Sequence, residues 1–380
     1  MSKGRVVIVA AARTPIGTSG HAFAHHGAGE LAAPVLADLA ARGGLRDRAI
    51  DEVVLGNVMG PGGNLARYAA LAAGLGFAVP GVTVDRQCAS GLAAVGVGAA
   101  LIAAGAGVVL AGGVESASTA PWRSWPPVDG AAPQRYMRAP FAPSPLDDPD
   151  MGPAADEVSR HFGITRERAD AYAARSHARA VEARGAGAFD GETVSIGGVT
   201  LDERPKPRLS VETLSRLRPL HSPAGIVTAG NSCGVNDGAA GVALVSGQVY
   251  GELGAPYGLE ILAVASAGVD PALPGIGIVP AARIALSRAS IGLDEVDVVE
   301  FNEAFAGQVL ACADALGVPD ERMCVEGGAL ALGHPWGASG AVLLVRLFSQ
   351  LQGLPRGSVG LAGIAAGGGQ GVAMVLRSCP

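Results

Sequence analysis

Continuous apolar runs recur along the chain and alternate with segments of helical spacing. The runs that predict buried strands are residues 6–10, 52–56, 108–111 and 259–264. Residues 30–41 have the spacing of an amphipathic helix, with Pro34 near its first turn. The apolar positions of this helix are Leu31, Val35, Leu36 and Leu39. Strands without polar positions are covered on both faces, so the pattern indicates an α/β protein with a buried sheet.

The second part of the chain repeats short pieces of the first part in the same order. The triplet at 51–53 recurs at 294–296, that at 89–91 at 338–340, and that at 110–112 at 361–363. Each pair occupies the same place in a strand–helix alternation, and the separation drifts slowly, as small loop changes after a duplication would produce. We predict two similar βα halves packed back to back.

The segment between the halves has a different composition. Residues 119–150 are rich in proline and contain Trp122, Trp125 and Tyr136, and residues 155–184 are polar and helical, with Thr165 as a helix N-cap. This segment is predicted to be an inserted lid or oligomer contact. The predicted domains are an N-terminal half (1–118 and 240–255), an inserted loop domain (119–239) and a C-terminal half (256–380).

Composition narrows the function classes. The 380 residues are 49% hydrophobic and carry a net charge of −6 without a basic run, which argues against disorder and against nucleic acid as a main partner. The five cysteines form no CxxC pair, which indicates reduced thiols in a cytoplasmic protein and no metal site. Residues 1–5 are basic, but the apolar run that follows ends at Arg13, so we expect a first strand and not a signal peptide. No segment predicts a membrane span.

Cys88 follows the β-branched pair Thr83–Val84 and precedes a proline-free apolar run, 93–104. The pattern predicts a strand, a turn, and a buried helix whose first turn holds Cys88. Unpaired N–H groups and the positive end of the helix dipole favour the thiolate there, and a thiolate attacks carbonyl carbon. A small buried cysteine used only for packing is the alternative.

Four further motifs accompany the cysteine. They are Asn302-Glu303-Ala304-Phe305, Gly333-His334-Pro335, Gly367-Gly368-Gly369, and the pair Thr228-Ala229-Gly230-Asn231 with Asn236-Asp237-Gly238. Together they resemble the thiolase family from the first strand to nearly the last residue. The resemblance implies a five-layered αβαβα fold of two similar halves plus a loop domain.

The resemblance also implies roles for individual residues. An acyl group would be carried on Cys88, and His334 would activate its thiol. His334 with a water held by Asn302 would form one oxyanion hole, and the N–H groups of Cys88 and Gly367 the other. A neutral imidazole can take a thiol proton, and aimed N–H donors stabilise an oxyanion, so these roles are chemically sound.

Simpler roles for the same residues are a turn histidine at 334, helix capping by Asn302 and Glu303 over 303–316, and a tight turn at 367–369. Residues expected to line the substrate pocket are Met151, His221, Ala229, Ser232, Cys233, Ala304 and Phe305. The resemblance implies no cofactor, because CoA or phosphopantetheine enters as the thioester substrate. It also implies a homodimer or homotetramer.

One departure from the family pattern concerns the second half of the reaction. The family places a second cysteine, the acid/base for the second acyl group, where this chain has Ala365. A methyl group carries no proton. Further departures are Asp85 and Cys324–Glu326 in place of asparagine-containing pieces, Pro274 for a pocket methionine, Cys233 for a serine and His221 for a phenylalanine.

We therefore expect a thiolase-like acyltransferase that forms an acyl-enzyme on Cys88 and completes transfer by an altered step. That step is a Claisen-type condensation, decarboxylative or not, or transfer to nitrogen, oxygen or sulfur. The alternatives are an ordinary acetyl-CoA acetyltransferase or 3-ketoacyl-CoA thiolase using Cys233 as a substitute base, and a silent thioester-binding scaffold. A dehydrogenase is disfavoured, because residues 10–17 lack the GxGxxG that follows the first strand of dinucleotide-binding folds.

Overall fold

The computed structural model describes residues 4–379, so residues 1–3 of the basic start and Pro380 lie outside it. The strands are β1 (Val6–Arg13), β2 (Gly17–Thr18), β3 (Glu52–Gly56), β4 (Gly81–Val84), β5 (Val108–Ser116), β6 (Arg123–Trp125), β7 (Gln134–Tyr136), β8 (Asn236–Ser246), β9 (Leu259–Gly268), β10 (Val298–Phe301), β11 (Val359–Ala366) and β12 (Gln370–Ser378). The α-helices are α1 (Ala28–Arg42), α2 (Leu65–Ala72), α3 (Ser90–Ala103), α4 (Met151–His161), α5 (Arg166–Gly185), α6 (Val211–Ser215), α7 (Gly247–Glu252), α8 (Ile278–Ala289), α9 (Ala306–Leu316), α10 (Ala329–Leu332) and α11 (Trp336–Gln352). Short 3₁₀ helices cover Pro274–Gly277, Leu293–Glu295 and Asp320–Arg322.

The strand order shows the predicted duplication. Within residues 4–379, ten strands form one sheet with the path β10-β11-β12-β9-β1-β8-β5-β3-β4, and β2 pairs with β8. In the N-terminal half β3 runs parallel to β5, β5 pairs antiparallel with β8, and β8 pairs antiparallel with β1. In the C-terminal half β10, β11, β12 and β9 repeat this arrangement in that order. The two half-sheets meet through a short contact, Val7 with Glu260 and Ile8 with Leu259.

The central helices α3 and α11 lie between the two half-sheets and share one core with both. They touch through two glycines related by the repeat. A Cβ on Gly91 would lie 2.8 Å from the carbonyl oxygen of Gly337, and one on Gly340 would lie 2.6 Å from the Cβ of Leu92. Only glycine permits this approach of two helix backbones.

Two further cores cover the outer faces. Helices α1 and α2 pack on the N-terminal half-sheet, and α8 and α9 on the C-terminal one. The layers therefore run helix, sheet, helix, sheet, helix, which agrees with the expected αβαβα fold. The apolar runs form the predicted strands. In β1, for example, all seven positions from Val6 to Ala12 are buried.

The segment between the halves differs in detail from the sequence expectation. Residues 155–184 are not one helix, because Gly163 adopts a φ of 67° and separates α4 from α5. Thr165 caps α5, as predicted, by accepting a hydrogen bond from the N–H of Arg168. β8 already begins at Asn236, so the predicted boundary at 240 falls inside this strand.

A buried ion network fixes the inserted segment to both halves. Arg13 pairs with Glu192 at 2.7 Å and with Asp202 at 2.7 Å, and Arg346 of α11 pairs with the other oxygen of Glu192. Removing one partner would leave an enclosed charge without compensation, so we expect this network to hold α11 in place. Across residues 4–379, no helix combines the length and apolarity needed to cross a membrane.

Candidate active site

Cys88 lies in the turn that leads into α3. The helix begins at Ser90, two residues after Cys88. The expectation that the first turn of the helix holds Cys88 is therefore wrong. Gln87 adopts a left-handed φ of 48°, and its N–H donates to Asp85 Oδ1 at 2.8 Å. Ser90 Oγ accepts from the N–H of Arg86 at 2.7 Å and donates to the Gln87 carbonyl at 2.6 Å. These contacts hold the residue before Cys88 in a conformation that costs free energy, a feature that clusters at functional sites.

The surroundings of the Cys88 sulfur combine burial with two aimed donors. Burial, with smaller contributions from nearby Cys233 and Glu115, raises the pKa of the thiol to about 12. The backbone N–H groups of Cys88 and Gly367 act on the sulfur and lower the pKa of the thiol, but burial outweighs them. The helix start favours the thiolate, as predicted, but burial has the larger effect on the pKa, so a base is needed to take the Cys88 proton at neutral pH.

His334 is buried and held at two points. Its backbone N–H donates to Asn236 Oδ1 at 2.9 Å, and its ring nitrogen Nδ1 lies 2.5 Å from Ser339 Oγ. Because Ser339 Oγ donates its own proton to the Pro335 carbonyl at 2.9 Å, the Nδ1 of His334 carries the proton of that contact. Nε2 is enclosed and has no hydrogen-bond partner among residues 4–379. Burial lowers the pKa of His334 to about 4, so the imidazole is neutral with a free acceptor nitrogen.

Glu115, near the end of β5, ties the start of α11 to the loop after β3. Its carboxylate accepts from Gly337 N–H at 3.0 Å, from Met59 N–H at 3.1 Å and from the Asn57 amide at 3.0 Å. Burial raises the pKa of Glu115 to about 7 despite these donors. The carboxyl group thus connects the turn after His334 to the loop after β3, near enough to Cys88 for its charge to raise the pKa of that thiol.

Asn302 follows β10 and is buried, with its N–H donating to the Gly363 carbonyl at 2.9 Å. It lines a narrow cavity together with Gly333 and Ser339, which places it next to the histidine segment. Glu300 and Arg346 line the same cavity.

The capping interpretation of Asn302 and Glu303 is wrong. Helix α9 begins at Ala306, and its N-cap residue Phe305 makes no side-chain cap. Glu303 instead accepts from Tyr172 Oη at 2.8 Å and from Ser176 Oγ at 2.7 Å, both on α5. Burial raises the pKa of Glu303. This carboxyl group joins the inserted segment to the loop that carries Asn302.

Four of the predicted pocket residues come together on two paired segments. Cys233 N–H donates to the Ala304 carbonyl at 2.9 Å, and Ser232 forms a bridge with Phe305. Cys233 also lies close enough to Cys88 for charge on one to raise the pKa of the other. Ser232 is less available than expected, because its hydroxyl donates to the Thr228 carbonyl.

The remaining predicted pocket residues lie on the inserted segment. Met151 begins α4, and the ring of His221 packs against the neighbouring Gly152. The side chains of His221 and Ala229 are exposed.

Ala365 lies on β11 opposite Gly371, just before the 367–369 turn. Gly368 and Gly369 have φ values of 78° and 73°, which require glycine and produce the tight turn. Phe141 covers this turn: a Cβ on Gly367 would lie 2.6 Å from its ring. Arg138 lies over the Phe141 ring, and Asp148 accepts from the Phe141 N–H at 3.2 Å.

The sequence interpretation gave no role to Ser339, Glu115 and Phe141, and it named Asn236 only as part of a motif. Ser339 belongs to the repeated triplet that also contains Ser90, and this was the available signal for it. The other three act through contacts between distant parts of the chain. Among residues 4–379, no cluster of His, Cys, Asp and Glu could hold a metal ion.

Comparison with known proteins agrees with this architecture. The family model "Thiolase, N-terminal domain" matches residues 6–248, and "Thiolase, C-terminal domain" matches residues 257–378. An acetyl-CoA acetyltransferase of Pseudomonas aeruginosa is 42% identical over 98% of this chain and 98% of that protein. A Staphylococcus aureus protein, provisionally named acetyl-CoA C-acetyltransferase VraB, is 42% identical over 90% of this chain and 92% of its own length.

A solved structure supports the same assignment. The crystal structure of the Bacillus anthracis acetyl-CoA acetyltransferase superposes with a TM-score of 0.91 at 37% identity, covering 99% of both chains. The chain therefore belongs to the thiolase family and is an acyltransferase.

Proposed function

We propose that the chain forms an acyl-enzyme on Cys88 from an acyl thioester and passes the acyl group to an acceptor by an altered second step. One observation carries the proposal. The sulfur of Cys88 has two N–H donors, and His334 has a neutral, unpartnered Nε2, whereas the position beside the 367–369 turn holds Ala365.

The first half of the reaction uses His334 as a base. Nε2 takes the Cys88 proton while the sulfur bonds to the thioester carbonyl carbon, and the N–H groups of Cys88 and Gly367 stabilise the oxyanion. As the carbonyl re-forms, the carbon–sulfur bond to the leaving thiol breaks, and His334 returns its proton to that thiolate. Ser339 keeps Nδ1 protonated throughout, so that Nε2 stays the reacting nitrogen.

The second half lacks a proton carrier at residue 365. A malonyl-type acceptor makes its own carbanion: the bond to its carboxylate breaks, CO₂ leaves, the new carbon–carbon bond forms at the acyl carbonyl, and Cys88 departs as thiolate. An amine, alcohol or thiol acceptor needs only His334 to accept its proton. The N–H groups of Cys88 and Gly367 would again stabilise the oxyanion at the acyl carbonyl, and Nε2 of His334 could donate to an oxyanion site beside Asn302 only while it carries a proton.

The alternative is ordinary thiolase chemistry with Cys233 as the second base. Its position near Cys88 favours this alternative. However, burial raises the pKa of Cys233 to about 12, and Arg204 only partly opposes this. At neutral pH the group is a thiol, so it cannot remove a proton from an acyl group until another base has ionised it.

The named relatives favour acyl-CoA as the donor, and a carrier-protein thioester is the second option for the same pantetheine chemistry. Candidates for contact with CoA phosphates are Lys206, Arg208, Arg216 and Arg218. No cofactor enters the proposed reaction.

Two measurements test the proposal. Incubation with acetyl-CoA should add one acetyl group to Cys88, detected by mass spectrometry. Thiolysis of acetoacetyl-CoA by CoA should be slow, and Ala365→Cys should raise its rate at least about tenfold by supplying an acid/base.

Each alternative has its own outcome. Brisk thiolysis by the native chain contradicts the altered second step, and its loss in Cys233→Ser would identify the substitute base. No adduct from several acyl-CoAs would indicate a binding scaffold.

We also propose self-association as a homodimer or homotetramer. Phe77, Trp122 and Met137 are large apolar side chains left exposed in the single chain, which favours a protein contact. Light scattering after size-exclusion chromatography measures the mass, and a monomer at micromolar concentration would contradict the proposal. A cytoplasmic location stays a prediction.

A further inference from the structure

Arg204 is half-buried and has no carboxylate partner within residues 4–379, in contrast to four other arginines of the chain. Arg13, Arg138, Arg168 and Arg346 each pair with two carboxylates. Within residues 4–379, no ion pair involves Arg204. Its Nε is enclosed and has no acceptor in the described part of the chain. The guanidinium is thus partly withdrawn from water without an anion to compensate it.

This arrangement destabilises the folded chain unless another interaction compensates for the buried charge. Desolvating a cation is expensive, and proteins usually pair such a group with an acid. The neighbouring groups do not compensate, because His177 and Lys206 are both basic. Burial, with smaller contributions from Arg204 and Lys206, lowers the pKa of His177 to about 4. Burial lowers the pKa of Arg204 itself.

Arg204 lies beside the acyl-transfer site. One end of its guanidinium packs against Gly234, next to Cys233, and Nη2 lies 3.4 Å from the Leu330 carbonyl, shortly before His334. Charge on Cys233 raises the pKa of Arg204, and it also raises the pKa of Cys88. The cation therefore lies beside the segment of Cys233, which is predicted to line the acyl pocket.

We propose that Arg204 recognises a carboxylate carried on the acyl group of a thioester substrate. A guanidinium presents a planar fork of N–H donors that matches a carboxylate, and the site lacks an internal acid to occupy it. The inference rests on the proposed acyl transfer and narrows its substrate class. The carboxylate has two possible sources, a malonyl-type acceptor or a dicarboxylic donor such as a succinyl thioester.

Binding measurements separate this inference from the acyl transfer. In a Cys88→Ala background, calorimetry with malonyl-CoA, succinyl-CoA and acetyl-CoA reports recognition without chemistry. Arg204→Ala should weaken binding of one carboxylate-bearing thioester by about 10- to 100-fold and that of acetyl-CoA by less than about threefold. Arg204→Lys should fall between. The thioester that loses affinity identifies the source.

The control is Arg46→Ala, which removes an exposed arginine following α1 and should leave all three affinities unchanged. An equal loss for all three ligands would overturn the inference, since it would show a contact with the shared CoA portion or a structural role. No loss for any ligand would overturn it as well. Absence of a Cys88 adduct in the native chain would contradict acyl transfer while leaving these affinity ratios interpretable.

Discussion

The two halves of the molecule begin their central helices in the same way but supply different chemistry. By the repeat, Ser90 at the start of α3 corresponds to Ser339 at the start of α11. Ser90 holds the turn that carries Cys88, through Arg86 and Gln87. Ser339 instead holds the imidazole of His334. A duplicated helix start thus holds the proposed nucleophile in one copy and the proposed base in the other.

The largest effect should come from removing the nucleophile. Cys88→Ala should abolish the acyl adduct, because no other group in the site has both aimed N–H donors and access to His334. Mass spectrometry after exposure to acetyl-CoA measures the adduct. Cys233→Ala should still form it, and a stable adduct on Cys233 in the native chain would break the comparison between the two halves.

The base should have the next largest effect. His334→Ala should slow acylation of Cys88 by about 10²- to 10⁴-fold, because it removes the group that accepts the thiol proton. Rapid-quench mass spectrometry gives the rate. Asp85→Asn changes the corresponding position of the N-terminal copy and keeps an acceptor for Gln87 N–H, so it should change the rate little. Equal losses in both variants would show that the copies do not differ in role.

The protonation state of the thiol can be measured directly. Because the pKa of Cys88 is about 12, the thiolate fraction should rise about tenfold for each pH unit below that value. Alkylation of Cys88 by iodoacetamide should therefore accelerate about 100-fold from pH 7 to pH 9 without levelling off. Peptide mass spectrometry follows the reaction, with a small free thiol as the reference. A plateau below pH 8 would show that the helix start and the N–H donors outweigh burial.

The smallest effect concerns the two corresponding serines. Ser90→Ala and Ser339→Ala should each cost about 1–2 kcal/mol of unfolding free energy, since each removes hydrogen bonds in an enclosed place. Only Ser339→Ala should also slow acylation, by about tenfold, because the proton of His334 would no longer be confined to Nδ1. Chemical denaturation and the acylation rate together test the distinction. A comparable rate loss in Ser90→Ala would contradict it.

Much of the fold could be predicted, because its signals are local. The apolar runs gave the strands, and the repeated triplets gave the pairing of halves that α3 and α11 display. The break between α4 and α5 was missed because a single Gly163 interrupts an otherwise uniform polar helical pattern. Its positive φ depends on packing that composition does not reveal.

The candidate site was predictable in its motifs and less so in its electrostatics. The position of Cys88 near a helix start suggested a thiolate, but burial depends on the whole fold and determines the pKa. Contacts such as Glu115 with Gly337, or Phe141 over Gly367, join residues far apart in the chain. No spacing pattern encodes them.

The main-chain contact at Gly91 and Gly340 has a consequence for how this protein can change. The sulfur and the imidazole each lie a few residues before one of these glycines, so their separation depends on the thickness of two bare helix backbones. Surface loops can gain or lose residues without altering that spacing, whereas one added methyl group at either glycine would push the reacting partners apart.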